Sequence, residues 1–348
     1  MPKLPKYEPW PEEAVDLDQS QVIDLYRNGS MGAFKQPEER EALREYLKNS
    51  GGYPDGEQAL YDYGLVGLGE GKLILPFLAV TKLWPNAWPG PGQTTGDCVS
   101  WGTRNSCLVT LAAEILQGHP DEVTGEVEGP PVVSAEGEAN GVLATEPIYG
   151  DRGHGGQGAS CERLARHVTE WGGLMVRQNY ADLGIDLTKY NSSIGAKWGG
   201  SGTPDAVKGV AKLHQVRTAT TLKGAEQTRD MLASMRGVNT CSSLGFSNTR
   251  DENGYSKQSG SWAHSQAIIG YDDRDETKQK YGGPLALWLN SWGKWNSGPR
   301  LIRDTAINIP EGAYWTDAKH CDRCSLIAFS ATNGWPAQKV NWLVSFPD

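Results

Sequence analysis

Apolar residues recur every three or four positions through roughly the first two thirds of the chain, a spacing that predicts amphipathic helices. The predicted helices cover residues 18–26, 37–48, 98–116, 161–171 and 224–234. Pro37 suits the first position of a helix, and Gly172 with Gly173 ends the helix at Trp171. Stretches rich in Gly, Ser, Pro or acidic residues predict surface loops at 118–143 and 192–204.

Beyond residue 237 the pattern changes to short apolar runs separated by turn-forming residues. Strands are predicted at 238–246, 263–271, 285–292 and 325–331. Helices followed by an antiparallel sheet indicate an α+β fold. We divide the chain into a mostly helical N-terminal extension, 1–83, and a main domain, 84–348. The extension is expected to dock on the main domain or on an assembly partner, and a removable inhibitory propeptide is the alternative.

Composition and charge restrict the classes of binding partner that we expect. The chain has 348 residues and a net charge of -9, which disfavours nucleic acid and anionic membrane surfaces as partners. The N-terminus lacks the apolar core of a secretory signal, and no apolar run is long enough to cross a bilayer. We therefore expect an intracellular protein. Its six cysteines are dispersed, and we expect free thiols rather than disulfides.

Three short motifs contain residues suited to nucleophilic catalysis. Cys98 begins a predicted helix, where unpaired N–H groups and the helix dipole favour the nucleophilic thiolate. His264 begins an apolar strand that ends in Gly-Tyr, and it is a candidate base. Asn290 follows another apolar run, within Asn-Ser-Trp-Gly, and could orient an imidazole ring. Each residue alone is as consistent with a structural role as with a catalytic one.

The order of these motifs resembles the papain-like cysteine peptidase family. The similarity covers roughly 84–293, including a Gly-Gly segment at 155–156 and the helix after it. It implies a two-lobed fold, with a helical left lobe and an antiparallel β right lobe. It also implies that Cys98 is the nucleophile, His264 the base and acid, and Asn290 the group that orients His264.

The same resemblance implies the binding groups. The backbone N–H of Cys98 and the side chain of Gln93 would form the oxyanion hole. Gly155, Gly156 and Trp292 would line the site of a peptide or protein substrate, whose backbone would pair with the Gly-Gly segment as an added strand. Cofactors and metals have no part in this chemistry.

The chain departs from the family pattern around the nucleophile. Gln93 lies five residues before Cys98 where six are usual, and Asp97 places a carboxyl beside the thiol. Thr95 stands where the family has a cysteine that forms a disulfide with the Gly-Gly loop. Stretches at 310–315 and 334–338 are similar to papain-like proteins of tailed phages and some bacteria. The loss of the disulfide fits an intracellular protein. Asp97, the shifted Gln93 and the loss of the family pattern after Gly293 favour an alternative, a weakly active or inactive papain-fold structural or binding protein, such as a phage virion component.

A second cysteine motif is the remaining candidate site. Cys321 and Cys324, with His320 beside them, have the spacing of half a zinc site. No second pair accompanies them, so we assign no metal. His154 lies in the predicted substrate loop, where contact with substrate and simple surface exposure are equally consistent with the sequence.

Overall fold

A computed structural model describes residues 33–34, 37–117 and 142–330. The α-helices in this part of the chain are α1 (Pro37–Asn49), α2 (Gly56–Asp62), α3 (Phe77–Leu83), α4 (Cys98–Gln117), α5 (Glu146–Gly150), α6 (Cys161–Arg166), α7 (Ser192–Trp198), α8 (Asp205–Ala211), α9 (Gly224–Ala233) and α10 (Asp275–Tyr281). A π-helical turn, His167–Trp171, continues α6, and 3₁₀ turns occupy Ala181–Leu183, Lys212–His214 and Ala318–Arg323.

The β-strands of the described residues are mostly short and concentrate after residue 218. They are β1 (Ala33–Phe34), β2 (Leu73–Ile74), β3 (Ala159–Ser160), β4 (Asn179–Tyr180), β5 (Ile185–Asp186), β6 (Ala219–Leu222), β7 (Val238–Phe246), β8 (Gln258–Asp272), β9 (Leu285–Leu289), β10 (Ala313–Asp317) and β11 (Ser325–Phe329). Helices dominate the first part and strands the second, so the predicted α+β class is confirmed.

One antiparallel sheet forms the second half of the molecule. Its strand order is β10-β9-β8-β7-β11-β6, and the short strand β2 also pairs with β8. In the pairing of β8 with β9, Ala267 lies opposite Leu289. The chain leaves β9 at the next residue, Asn290, and so passes close to the part of β8 that contains His264.

Helix α4 is the central helix of the fold and packs against β8. Every side chain from Cys98 to Ala113 is buried, so the predicted apolar stripe is part of a helix that is covered on all sides. Gly102 permits the close approach, because a Cβ there would lie 2.5 Å from Oγ of Ser265. Cys98 lies one helical turn before Gly102 and on the same face, so the start of α4 is brought toward the strand that contains His264.

The N-terminal extension packs onto the main domain through α1. Leu43 and Leu47 are fully buried and belong to the same core as the sheet and α4. Polar contacts join α1 to α6 and the turn after it: Arg40 Nε to Glu162 at 3.1 Å, and the Tyr46 hydroxyl to the carbonyl of Thr169 at 2.7 Å. The predicted helix at 37–48 is confirmed, and the one at 18–26 lies outside the described residues. The domain boundary at 83 stays a prediction.

The expectation of free thiols is wrong for two of the six cysteines. Cys161, the first residue of α6, forms a disulfide with Cys241 in the middle of β7. Both residues are buried, and Cys161 Sγ also lies 3.5 Å from Nδ2 of Asn239. Eighty residues separate the two cysteines along the chain, so only the packing of α6 on the sheet brings them together.

Other local predictions need smaller corrections. The Gly- and Ser-rich stretch at 192–204 begins with helix α7 rather than a loop, because the Asn191 side chain caps it by accepting from the N–H of Ser193. Strand β8 is longer than predicted, β9 ends three residues earlier, and β6 and β10 were not predicted. Among the helices of the described ranges, none is both long enough and apolar enough to span a membrane.

Candidate active site

The candidate nucleophile lies at the start of a long helix. Cys98 is the first residue of α4, and the carbonyl of Asp97 before it accepts from the N–H of Trp101, at 3.1 Å. The first N–H groups of a helix have no acceptor within the helix, and they give its N-terminus a partial positive charge. Cys98 is fully buried and lies outside the disulfide. The position therefore provides both stabilisation for a thiolate and a backbone N–H beside it.

The predicted base and its orienting residue are in direct contact. Nε2 of His264 lies 2.8 Å from Oδ1 of Asn290. The same Oδ1 accepts from the backbone N–H of Ser291 at 2.7 Å, which identifies it as the amide oxygen. Nε2 must then donate to it. In the neutral ring Nδ1 therefore bears the lone pair, and it is the atom available to exchange protons with a thiol or a leaving group.

Tryptophan rings enclose the His264–Asn290 pair. The indole of Trp292 stacks on the imidazole with ring centroids 4.6 Å apart, and Trp262 presents its edge at 6.2 Å. Burial lowers the pKa of His264 to about 4, while the hydrogen bond with Asn290 raises it. A resting imidazole is thus neutral near pH 7. Trp292 is itself fully buried, and it contacts His264. Its contact with substrate stays a prediction.

Gln93 connects the segment before Cys98 to the segment after Asn290. Its backbone N–H donates to the carbonyl of Ser291 at 2.9 Å, and its Oε1 accepts from the hydroxyl of Ser291. Nε2 donates to the carbonyl of Thr95 at 2.7 Å. The amide is therefore buried and fixed against the loop that leads into Cys98. Its role as an oxyanion donor stays a prediction.

The carboxyl of Asp97 contacts a segment that is distant along the chain. It accepts from the hydroxyl of Tyr190 at 2.9 Å, and it is almost completely buried. Burial raises the pKa of Asp97 to about 8; the Tyr190 hydrogen bond lowers it and the charge of Glu146 raises it. At neutral pH the carboxyl is mostly protonated, so it places little negative charge beside the thiol of Cys98.

The predicted substrate segment is an exposed loop held by its neighbours. Gly155 is exposed, and no atom lies within 4 Å of a Cβ built on it. The carbonyl of Gly156 accepts from Nε of Arg152 at 2.7 Å. Burial lowers the pKa of His154, in the same loop, to about 4, with the charges of Arg152 and Arg163 adding to the effect. The loop offers open backbone at Gly155.

The Cys321–Cys324 motif is not arranged as a metal site. Within the ranges that the structure describes, no group of three or more His, Cys, Asp or Glu side chains could hold a metal ion. Cys324 Sγ lies 3.1 Å from the carbonyl of His320, and burial raises the pKa of the Cys321 thiol. Cys107, on α4, is fully buried, and burial raises the pKa of its thiol well above the usual value.

Two residues that organise this site were not identified from the sequence. Gln157 accepts hydrogen bonds from the loop before Cys98, and Tyr190 binds Asp97. Both come from segments far from Cys98 along the chain, and neither belongs to a recognisable motif.

No protein-family model matches the chain, and no curated protein matches it in sequence. Solved structures similar to it include xylellain, a cysteine protease from Xylella fastidiosa (11% identity, TM-score 0.43, covering 73% of this chain and 88% of that one). Others are digestive procathepsin L 3 of Tenebrio molitor (12%, 0.37, covering 92% and 99%) and the proform of Amb a 11, a cysteine protease and ragweed pollen allergen (15%, 0.37, covering 95% and 96%). At such low sequence identities and TM-scores, the similarities identify neither the catalytic residues nor the substrate of this chain.

The arrangement of the chain agrees with the predicted papain-like fold. A cysteine begins the central helix, a histidine lies on the antiparallel sheet against which that helix packs, and an asparagine directly after the next strand binds the histidine.

Proposed function

We propose that this chain is a papain-like cysteine peptidase that hydrolyses peptide bonds through a thioester on Cys98. The observation that supports it most is the 2.8 Å contact from Nε2 of His264 to Oδ1 of Asn290, under the ring of Trp292. That contact fixes the tautomer in which Nδ1 accepts a proton, as a base for a thiol requires.

In the proposed acylation step, Nδ1 of His264 takes the proton of the Cys98 thiol. The thiolate attacks the carbonyl carbon of the peptide, and the carbonyl oxygen becomes an oxyanion. The backbone N–H of Cys98 and the side chain of Gln93 donate hydrogen bonds to that oxyanion. The imidazolium then protonates the leaving amine, the C–N bond breaks, and a thioester remains on Cys98.

Deacylation reverses the roles of the same groups. Neutral His264 takes a proton from water as the water attacks the thioester carbonyl. The tetrahedral intermediate collapses with loss of the Cys98 thiolate, which recovers the proton from His264. The products are a carboxylic acid and an amine. We propose that the substrate lies along Gly155 and Gly156, and that the exposed backbone of Gly155 pairs with an extended peptide.

One observation favours the second candidate function, a papain-fold binding protein with little activity. Cys98 is 0% exposed and His264 1% exposed, so a substrate carbonyl reaches the sulfur only if the surrounding segments open. The proposed intracellular location, virion association and N-terminal assembly partner belong to this candidate as well as to the first.

Alkylation combined with hydrolysis tests the proposed function. We expect iodoacetamide to modify Cys98 faster than Cys107, because both thiols are buried but Cys98 lies at a helix N-terminus, which favours the thiolate. We expect Cys98→Ala to abolish cleavage of fluorogenic peptides. Cys107→Ala is the matched control, since it removes a buried thiol from the same helix and should keep full activity. Equal modification of the two thiols, together with unchanged hydrolysis in Cys98→Ala, would reject the peptidase and leave the binding protein.

A further inference from the structure

The loop that leads into Cys98 is held by one amide oxygen from a distant segment. Oε1 of Gln157 accepts from the hydroxyl of Thr95 at 2.7 Å and also from the backbone N–H of Gly96. The hydroxyl of Tyr149 approaches the same oxygen at 3.3 Å. A backbone N–H can only donate, so the atom it meets is the amide oxygen rather than the nitrogen. Three donors thus converge on a single acceptor.

A backbone contact and a steric requirement accompany this acceptor. The N–H of Gly158 donates to the carbonyl of Gly96 at 3.0 Å, so both polar groups of the Gly96 backbone are bound to the segment 157–158. A Cβ at position 96 would lie 2.7 Å from Oε1 of Gln157 and 2.9 Å from the N atom of Gly158. Only glycine permits so close an approach.

Hydrogen bonds also hold the opposite side of the loop. Gln93 donates to the carbonyl of Thr95, and it is itself bound to Ser291, the neighbour of the residue that orients His264. The peptide unit between Asp97 and Cys98 follows this doubly held loop directly. Its N–H is the donor that the proposed mechanism places on the oxyanion, so its direction depends on where Thr95 and Gly96 are fixed.

We propose that Gln157 is a positioning residue that sets the direction of the Cys98 N–H and joins the nucleophile loop to the substrate segment at Gly155 and Gly156. The inference rests on the proposed function, and it deepens it. Gln157 lies one residue after Gly156, so movement of either loop is transmitted to the other. Thr95, whose hydroxyl donates to Gln157, occupies the position at which the resemblance to papain-like peptidases places a disulfide cysteine. Hydrogen bonds replace that covalent link here.

The test compares two substitutions of nearly equal size. Gln157→Leu removes the acceptor, and Gln157→Glu keeps an oxygen that can accept from Thr95 and Gly96. We expect Gln157→Leu to lower kcat about 10- to 100-fold with KM little changed, the range for lost partners of positioned groups. We expect Gln157→Glu to restore most of kcat. Gln279→Leu, at an exposed glutamine of α10, is the matched control and should behave as wild type.

A second readout separates positioning from simple loss of structure. Alkylation of Cys98 by iodoacetamide forms no oxyanion, so its rate should change little in Gln157→Leu, and the melting temperature should stay near that of wild type. If Gln157→Leu fails to fold, Gly96→Ala displaces the same contact and serves in its place. Wild-type kcat in Gln157→Leu, equal impairment in Gln157→Glu, or parallel losses of alkylation, stability and kcat would each overturn the inference. Absence of Cys98-dependent hydrolysis in the wild type would instead reject the proposed function and the inference with it.

Discussion

Replacing His264 by Gln is expected to lower kcat/KM for peptide hydrolysis by about 10³-fold, within the range for loss of a general acid and base. Glutamine keeps a polar side chain that can still contact Asn290, but it cannot take a proton from a thiol. Initial rates on a fluorogenic peptide measure the effect. His214→Gln, which removes a half-buried histidine from the 3₁₀ turn Lys212–His214, is the matched control and should keep its activity.

Asn290 should give a graded result, because it acts through His264. Asn290→Ala leaves Nε2 of His264 without its acceptor, so the ring loses its fixed tautomer, and a loss of about 10²-fold is expected. Asn290→Asp keeps an acceptor at the same place and should lose less. If Asn290→Ala and the His264 variant are both as active as wild type, then the 2.8 Å contact has only a structural role.

Replacing Asp97 by Asn should stabilise the fold at alkaline pH. The folded-state pKa of Asp97 is about 8, well above the ordinary value of about 3.9 for an unfolded chain. Between these values the folded state binds a proton that the unfolded state releases, so rising pH favours unfolding by about 1.4 kcal/mol per unit. Over the whole interval the effect is on the order of 5 kcal/mol, and it is complete once the pH exceeds the folded pKa.

The measurement is the free energy of unfolding in urea at pH 5, 7 and 9 for wild type and Asp97→Asn. The difference between the two proteins should grow as pH rises, because Asn does not titrate. Asp275→Asn, at an exposed carboxyl of α10, is the control and should follow wild type at every pH. If the free energies of unfolding of wild type and Asp97→Asn differ by the same amount at all three pH values, then Asp97 is ionised in the folded state over this whole pH range.

Regular elements were predicted where local pattern and burial agree. Strand β7 was predicted with its observed bounds, 238–246, because a run of apolar and small residues there fits a strand buried on both faces. Helix α4 was predicted within a residue, since Gly118 and Pro120 stop its pattern. The candidate base and orienting residue were also found, because each adjoins an apolar run within a short motif, although His264 lies inside the longer strand β8.

The remaining features depend on contacts between distant segments. The disulfide of Cys161 with Cys241 and the contacts of Gln157 require α6 and its preceding loop to dock beside α4. From the sequence, a negative charge on Asp97 is expected to disfavour a thiolate at Cys98. Burial keeps the carboxyl protonated, although the hydrogen bond from Tyr190 lowers its pKa, and both influences arise only in the folded protein. Such environments have no signature in local spacing.

The proposed mechanism requires Cys98 to form a thioester with the acyl part of its substrate. Mixing the protein with an activated peptide ester, quenching in acid and measuring the intact mass tests it directly. We expect a mass increase equal to the acyl group, mapped to the peptide that contains Cys98 and absent from Cys98→Ala. Turnover of the ester with the acyl group on another residue, or undiminished turnover in Cys98→Ala, would contradict it.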